Sequence, residues 1–315
     1  MSSIEADLKL AHALIEDREK FDNYFWQFYR MWSFTTINMQ EYLSHFNLEG
    51  KTCATIVGSA DHIFELFLKH PKKIIGIDTN PLTEHYFYLK YAAFNVLPNP
   101  KEFLTFFRWL DYPNFCDYNP RAFDKDIFQE ISKYLTNYSL IFWEDLFKNY
   151  EPSLIRTKLF NAYDEENNSG IKGSLSYITE ENYEYIKDNL DKLDFTFMNT
   201  DIRNLSDELS EKIDFLTLSN LIIYAHDMYP DCPVQGFKAL IDSLANNLND
   251  NGTIVAGYLY DIENENDDRD IYKAAIRDSI FLEDEYSYKY VTRIKDFHRE
   301  RGSNNHDAIL VYSKK

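Results

Sequence analysis

Cysteine is scarce: Cys53, Cys116 and Cys232 are three thiols in 315 residues, far apart in the chain. They lack the C-x-x-C spacing of a structural zinc or dithiol redox site, so they read as free thiols of a reducing compartment. A long apolar run is also missing from residues 1–21, where charged and apolar residues are mixed. Neither signal peptide nor membrane span is therefore expected, and the chain reads as cytoplasmic without stable membrane insertion. Positive charge is in short supply, with 33 Lys and Arg against 52 Asp and Glu and a formal net charge of −19. Affinity for nucleic acid grows with the phosphates that Lys and Arg neutralise, so no nucleic-acid partner is expected. None of the eight histidines has the H-x-x-x-H or His/Cys spacing of a metal site. The acidic stretch 263–270 lacks the glycine of a calcium loop and reads as a solvated face, so no metal is expected.

What the chain has in quantity is core material, 44% hydrophobic and 17% aromatic, with 24 Tyr and 24 Phe. Apolar residues at helical spacing (Leu8, Ala11, Ile15, then Phe21, Phe25, Phe28 and Trp32) predict one or two amphipathic helices as an N-terminal cap over residues 1–50. A second helix over 37–46 ends before Gly50, a C-cap signal. From Lys51 the period changes: 52–57 and 73–77 are β-prone runs flanking a helix at 61–69, a βαβ unit, with Pro81 early in the next helix, 82–96. Residues 98–190 read as a helical insertion rich in aromatics (Phe103, Trp109, Phe142, Trp143), broken by a polar stretch at 165–173. Strands resume at 194–198, 213–218, 253–257 after the turn Asn251-Gly252, and 308–312. Strands alternating with helices predict an α/β fold with a mostly parallel, Rossmann-like sheet in a domain spanning 51–315.

Ligands of such sheets bind outside the carboxyl ends of the strands. After the first strand comes Val57-Gly58-Ser59-Ala60-Asp61, whose small residues let a backbone approach a ligand closely; an ordinary strand-to-helix turn would look the same. The second strand ends at Asp78, followed by Asn80 and Pro81. An acid there can accept hydrogen bonds from both ribose hydroxyls of a nucleoside, or can cap the next helix. A third strand end carries Thr200, Asp201 and Ile202, where a carboxylate could take the adenine amino group while Ile202 packs on the ring. The fourth carries Ser219 and Asn220. G-x-G-x-x-G is missing, because Ala60 and Ile63 occupy the second and third glycine positions. This disfavours a dinucleotide such as NAD and leaves room for a nucleoside with a short zwitterionic tail.

The block 55–97, with Val-Gly-Ser-Ala-Asp-His, Gly-Ile-Asp-Thr-Asn-Pro-Leu and Tyr-Leu-Lys-Tyr-Ala-Ala, resembles class I S-adenosylmethionine (SAM) dependent methyltransferase-fold proteins. More narrowly it is similar to the family that includes the SAM:diacylglycerol 3-amino-3-carboxypropyltransferases of betaine-lipid synthesis. Glu102-Phe103-Leu104-Thr105-Phe106-Phe107, Phe142-Trp143-Glu144 and Leu218-Ser219-Asn220 extend the likeness over most of residues 34–258. The resemblance implies a seven-stranded sheet that binds SAM, with Gly58 on the methionyl part, Asp78 on the ribose, and Thr200, Asp201 and Ile202 on the adenine. Two positions depart from the pattern: the glycine turn is reduced to Gly58-Ser59-Ala60, and an acid expected shortly after Asn220 is Ile223.

The reaction expected is alkyl transfer from the sulfonium to a small-molecule or lipid acceptor, of the 3-amino-3-carboxypropyl group by family or of methyl by fold. Which carbon moves depends on which one faces the nucleophile in line with the departing sulfur. Tyr224, His226 and Asp227 follow the fourth strand and are candidate bases; Asp227 is equally a helix cap. Thr35, Thr36 and Asn38 join the cap to the core and would meet the SAM carboxylate, or cap the next helix. Two rival readings are a SAM-binding regulator without catalysis and, less well matched, an NAD-dependent oxidoreductase.

Overall fold

The computed structural model of the chain describes residues 3–16, 29–107, 121–160, 174–260, 262, 286–291 and 306–314. Phe21, Phe25 and Phe28 of the first helical pattern, Trp109, Cys116, the polar stretch 165–173 and the acidic stretch 263–270 lie outside them. The described helices are α1 (Ile4–Glu16), α2 (Met39–Leu43), α3 (Asp61–Phe67), α4 (Leu82–Val96), α5 (Pro100–Phe107), α6 (Lys125–Ser132), α7 (Asn137–Asn149), α8 (Pro152–Leu159), α9 (Glu180–Asn189), α10 (Leu205–Glu208), α11 (Ala225–Met228) and α12 (Pro233–Ala245). The strands are β1 (Thr52–Ile56), β2 (Lys73–Asp78), β3 (Phe195–Asn199), β4 (Ile213–Thr217), β5 (Leu248–Leu259), β6 (Tyr286–Val291) and β7 (Asp307–Ser313). The chain divides into two compact units. A helical unit comprises Met1–Thr36, Val57–Phe64 and Asp78–Leu193; a sheet unit comprises Ile37–Ile56, Glu65–Ile77 and Asp194–Lys315. The N-terminal segment thus belongs with 78–193, where the sequence predicts a cap over 1–50 and a separate insertion over 98–190.

The sheet has seven strands in the order β3-β2-β1-β4-β5-β7-β6. β1 runs parallel to β2 and β4, and β4 to β5, while β7 is antiparallel to both β5 and β6. This is the seven-stranded Rossmann-like α/β sheet expected, with its order reversing at β1 and β4. Burial explains the pattern: β4 and β7 are almost wholly enclosed, so their runs are near-continuously apolar, whereas β3 at one edge is half exposed. α12 covers the sheet core with Phe237, Leu240, Ile241 and Leu244, spaced i, i+3, i+4, i+7 so that one face of the helix is apolar. Pro233 opens that helix, where its missing N–H costs nothing.

Two sheet features differ from the sequence reading. Asn251-Gly252 is no turn between elements, because β5 starts at Leu248 and runs through it. Asn251 takes a left-handed φ of 62°, and the register against β4 slips there, so the pair acts as a bulge. β6 was absent from the strands read off the sequence. Its alternation Tyr-Ser-Tyr-Lys-Tyr-Val fits an edge strand, where a lysine discourages further pairing.

In the helical unit the aromatic excess is spent on a core of its own. Phe94 packs against Phe64, Phe103 and Tyr183 with ring centroids 4.8–5.0 Å apart, and Phe128 stacks on Phe147 at 3.9 Å. Each such pair adds about 0.5–1.5 kcal/mol beyond the area it buries. A buried polar knot ties α1 to α4 and α7: His85 Nε2 lies 3.2 Å from Asp7 Oδ2 and His85 Nδ1 3.3 Å from Ser139 Oγ. The His85 ring stacks on Phe142 at 4.1 Å, Trp143 Nε1 donates to the His85 carbonyl, and Tyr138 Oη donates to Asp7. Burial pushes the His85 pKa down, so the imidazole is neutral. Asp7→Ala strips the knot of its acceptor. Leaving a buried donor unsatisfied costs about 1–3 kcal/mol. Chemical denaturation should show a loss of that size, and proteolysis should cut first around α1.

No helix among the described residues is long and apolar enough to cross a membrane.

Candidate functional site

The turn after β1 takes an unusual path. Gly58 and Ala60 both have left-handed backbones, φ 52° and 68°. For alanine that conformation costs about 1–2 kcal/mol, so something must hold it. The hold is a closed polar cluster centred on Asp61. Its Oδ1 accepts from Lys90 Nζ (2.6 Å) and Tyr177 Oη (2.7 Å), and its Oδ2 accepts from Thr35 N (2.5 Å) and Ser59 Oγ (2.7 Å). A carboxylate has about four acceptor positions, and all four are used within the chain. Lys90 is saturated as well: its ammonium donates to Asp61 and to the carbonyls of Ser33 (2.7 Å) and Ser59 (2.9 Å), and sits 4.2 Å from the Phe34 ring centre. Both charged residues are fully buried. Asp61 and Ser59, expected among the ligand contacts, therefore position the turn, and Thr35 belongs to the same hold through its backbone. Thr35 and Thr36 do not cap α2, because Asn38 does, accepting from Glu41 N at 3.1 Å.

Asp78 joins the two strand-end turns of the helical unit. Its Oδ2 accepts from Gly58 N and its Oδ1 from Asn80 N, both at 2.9 Å, and the Thr83 hydroxyl and the Thr79 N–H also hydrogen-bond to the carboxylate. At the start of α4 it is Asn80, the neighbour of the cap position Pro81, whose Oδ1 accepts from Leu82 N at 3.0 Å. Withdrawal from water pushes the Asp78 pKa up to about 6, against hydrogen bonds that pull it down. At Gly58 a Cβ would meet nothing within 4 Å, so the chain leaves open the space that a side chain would fill.

The sheet unit carries the other expected residues. Thr200 is buried, with Oγ1 3.4 Å from the Asp201 carbonyl. Asp201 has a partner of its own: Arg203 grips both carboxylate oxygens through Nε and Nη2, and this hydrogen bonding holds the Asp201 pKa down. Ile202, expected to pack on an adenine ring, is 5% exposed and lies in the core of the sheet unit. Ser219 adopts a left-handed φ of 55°, and its carbonyl accepts from Tyr258 N at 2.8 Å. Asn220 Nδ2 lies 3.4 Å from Tyr260 Oη. Of the candidate bases, Tyr224 is half-buried with its pKa raised by burial, while His226 and Asp227 are exposed on α11. Asp227 does not cap that helix; the cap position is Tyr224.

Several polar groups escaped the sequence reading. Lys90 could have been found, because Tyr86, Lys90 and Phe94 at i, i+4, i+8 share one face of α4, and a lysine on a buried face needs a partner. Tyr177 gave no signal, its partner being 116 residues away. In the sheet unit Tyr258 Oη donates to Asp307 Oδ2 at 2.7 Å, and burial drives its pKa well above the ordinary phenol value. His62 is 3% exposed, and neither ring nitrogen has a hydrogen-bond partner. Among the described residues no group of three or more His, Cys, Asp or Glu could hold a metal ion.

No protein-family model matches the chain, and no curated protein sequence matches it. Two solved structures of the rRNA methyltransferase aviRa from Streptomyces viridochromogenes resemble it. One is 12% identical with a TM-score of 0.36, over 97% of this chain and 91% of that one. The other is 11% identical with a TM-score of 0.34, over 87% and 82%. Identities and scores this low carry nothing over to the residues, substrate or activity of this chain.

Proposed function

We propose that the chain is a SAM-dependent transferase whose helical unit holds the ribose and the methionyl tail at Gly58 and Asp78. The observation that carries this reading is the pairing of those two residues. A carboxylate stands beside a glycine whose side-chain direction is open, a combination that suits a nucleoside diol and a close backbone contact. SAM, when bound, supplies a sulfonium whose attached carbons are already activated toward a nucleophile. The chain's own work is then binding and orientation: Asp78 accepts from the ribose hydroxyls, and the Asp61–Lys90 cluster keeps the turn in place. Transfer of the 3-amino-3-carboxypropyl group and a lipid or small-molecule acceptor rest on the family resemblance alone.

Calorimetric titration with SAM, S-adenosylhomocysteine and methylthioadenosine tests the assignment. SAM should bind, and Gly58→Ala should weaken it by about tenfold or more while lowering stability by only about 1 kcal/mol, the usual cost of alanine in a left-handed position. A methyl group there meets no protein atom, so a large affinity loss points to the ligand. Failure of all three ligands to bind the wild type sinks the cofactor assignment. On turnover, release of methylthioadenosine means aminocarboxypropyl transfer and release of S-adenosylhomocysteine means methyl transfer. SAM binding without either product favours the regulator.

A further inference from the structure

At the C-terminal end of α1, four side chains of the helical unit share a run of hydrogen bonds that a neutral imidazole cannot complete. His12 Nε2 lies 2.8 Å from Asp145 Oδ2 on α7, and His12 Nδ1 lies 2.6 Å from Oη of Tyr150, the residue that ends that helix. Tyr150 Oη in turn donates to Oε1 of Glu16, the last residue of α1. An ionised carboxylate only accepts, so Nε2 must donate to Asp145. The phenol has a single proton and gives it to Glu16, so Nδ1 must donate to Tyr150. Burial and the bond to Glu16 hold the Tyr150 phenol above its ordinary pKa, which keeps that proton in place. Two donating ring nitrogens make the ring an imidazolium.

The surrounding charges suit a cation at this point. Asp145 and Glu16 sit toward the C-terminal ends of their helices, where the helix dipole disfavours an acid, and among the described residues neither pairs with a lysine or arginine. Asp145 has one further donor, Asn149 Nδ2 at 3.1 Å. The other ionisable side chains nearby in sequence are Lys9 on α1, Glu144 and Lys148 on α7, and Arg156 and Lys158 on α8, which also packs against α1. Among the described residues none of them is bonded to the four. His12 and Asp145 are 30% and 33% exposed, so the ring can exchange its proton with solvent.

We propose that Asp145, His12, Tyr150 and Glu16 form a proton-operated clasp that holds the end of α1 on α7 while His12 is charged and releases Glu16 when the proton leaves. The neutral ring keeps one N–H. If it stays on Nε2, the Tyr150 hydroxyl turns from Glu16 to the lone pair on Nδ1, and Glu16 loses its donor. If it stays on Nδ1, a lone pair faces the Asp145 carboxylate. The first needs only a rotation about one C–O bond and avoids that repulsion, so Glu16 is the link that opens. Imidazole is the side chain that changes charge between about pH 5 and pH 8. The clasp is therefore closed on the acid side of that range and opens as pH rises, since loss of the proton removes a bond of the folded state. Asp7, on the same helix, stays in the buried knot with His85, so the opening is confined to the end of α1. The clasp is independent of the cofactor.

Amide hydrogen exchange of the full-length chain, read by mass spectrometry and corrected for the chemical exchange rate, tests it. In the wild type, protection of residues 12–16 should fall by about three- to tenfold from about pH 5.5 to about pH 7.5, the worth of one partly exposed charge-assisted hydrogen bond. α4, fixed by the buried knot, should change little. Tyr150→Phe and His12→Gln should show the low protection at every pH, with β4 as protected as in the wild type. A purely structural His12 predicts the same low protection in both variants and no pH response in the wild type, and that result overturns the clasp. So does a pH response that survives in His12→Gln, because another group then carries it. A full response in Tyr150→Phe overturns release through Glu16.

Discussion

Lys90→Met should lower the stability of the chain by about 3–5 kcal/mol, a large part of the 5–15 kcal/mol that holds a typical domain together. The ammonium has three acceptors for its three protons, and methionine fills similar space with none. What remains is a fully buried carboxylate with three donors and no counter-charge. The double variant Asp61→Asn, Lys90→Met should lose less than the sum of the two single losses, because removing both charges leaves neither stranded. Urea unfolding of the four proteins makes the test. Additive losses would mean that the pair stabilises nothing jointly. The same single variants should also weaken SAM binding, since the turn Gly58–Asp61 is held by this cluster.

Asp78→Ala should abolish measurable SAM binding, a loss of about a hundredfold or more, since two hydrogen bonds to a charged acceptor are worth about 1.5–3 kcal/mol each. The pH profile gives an independent check. With a pKa near 6, Asp78 is ionised at pH 7 and protonated at pH 5. A protonated carboxyl accepts poorly from two hydroxyls, so SAM affinity should be flat above about pH 7 and fall by up to tenfold per unit below pH 6. Asp78→Asn should bind weakly with no such dependence. A wild-type profile that is flat from pH 5 to 7 would remove Asp78 from the ligand. The shift also bears on the ligand-free fold. The folded pKa lies above the ordinary 3.8, so Asp78's contribution to stability is fully present below about pH 4 and is lost as pH rises toward 6, because the unfolded chain gives up the proton first.

Much of the fold was legible in order of elements. β1, β2, β4 and β7 follow from short β-prone runs, α12 from its i, i+3, i+4, i+7 stripe, and the turn at Gly58 from a glycine directly after a strand. β6 was missed because an edge strand carries polar residues and lacks the apolar run that marked its neighbours. The bulge at Asn251-Gly252 was read as a turn because the same two residues suit both, and only pairing with β4 and β7 distinguishes them.

The candidate site divides along the same line. Residue type and position relative to a strand nominate Gly58 and Asp78 as candidates, because backbone freedom and acceptor chemistry are local, whereas the structure shows that Asn80 accepts from Leu82 N where the sequence offers Asp78 as the cap. Sequence alone also fixed the acidic charge, the want of metal-ligand spacing and the aromatic material for a core. The tertiary structure decided which polar groups spend their hydrogen bonds inside the chain. Asp61 and Asp201 looked alike as acids after strands, yet one is saturated by Lys90, Tyr177, Thr35 and Ser59, and the other is gripped by Arg203. That both nitrogens of the buried His62 ring lack a hydrogen-bond partner is likewise visible only in three dimensions. A hydrogen bond across 116 residues, such as Tyr177 to Asp61, leaves no periodicity in the sequence, because the chain's path between its ends sets it and local propensity does not.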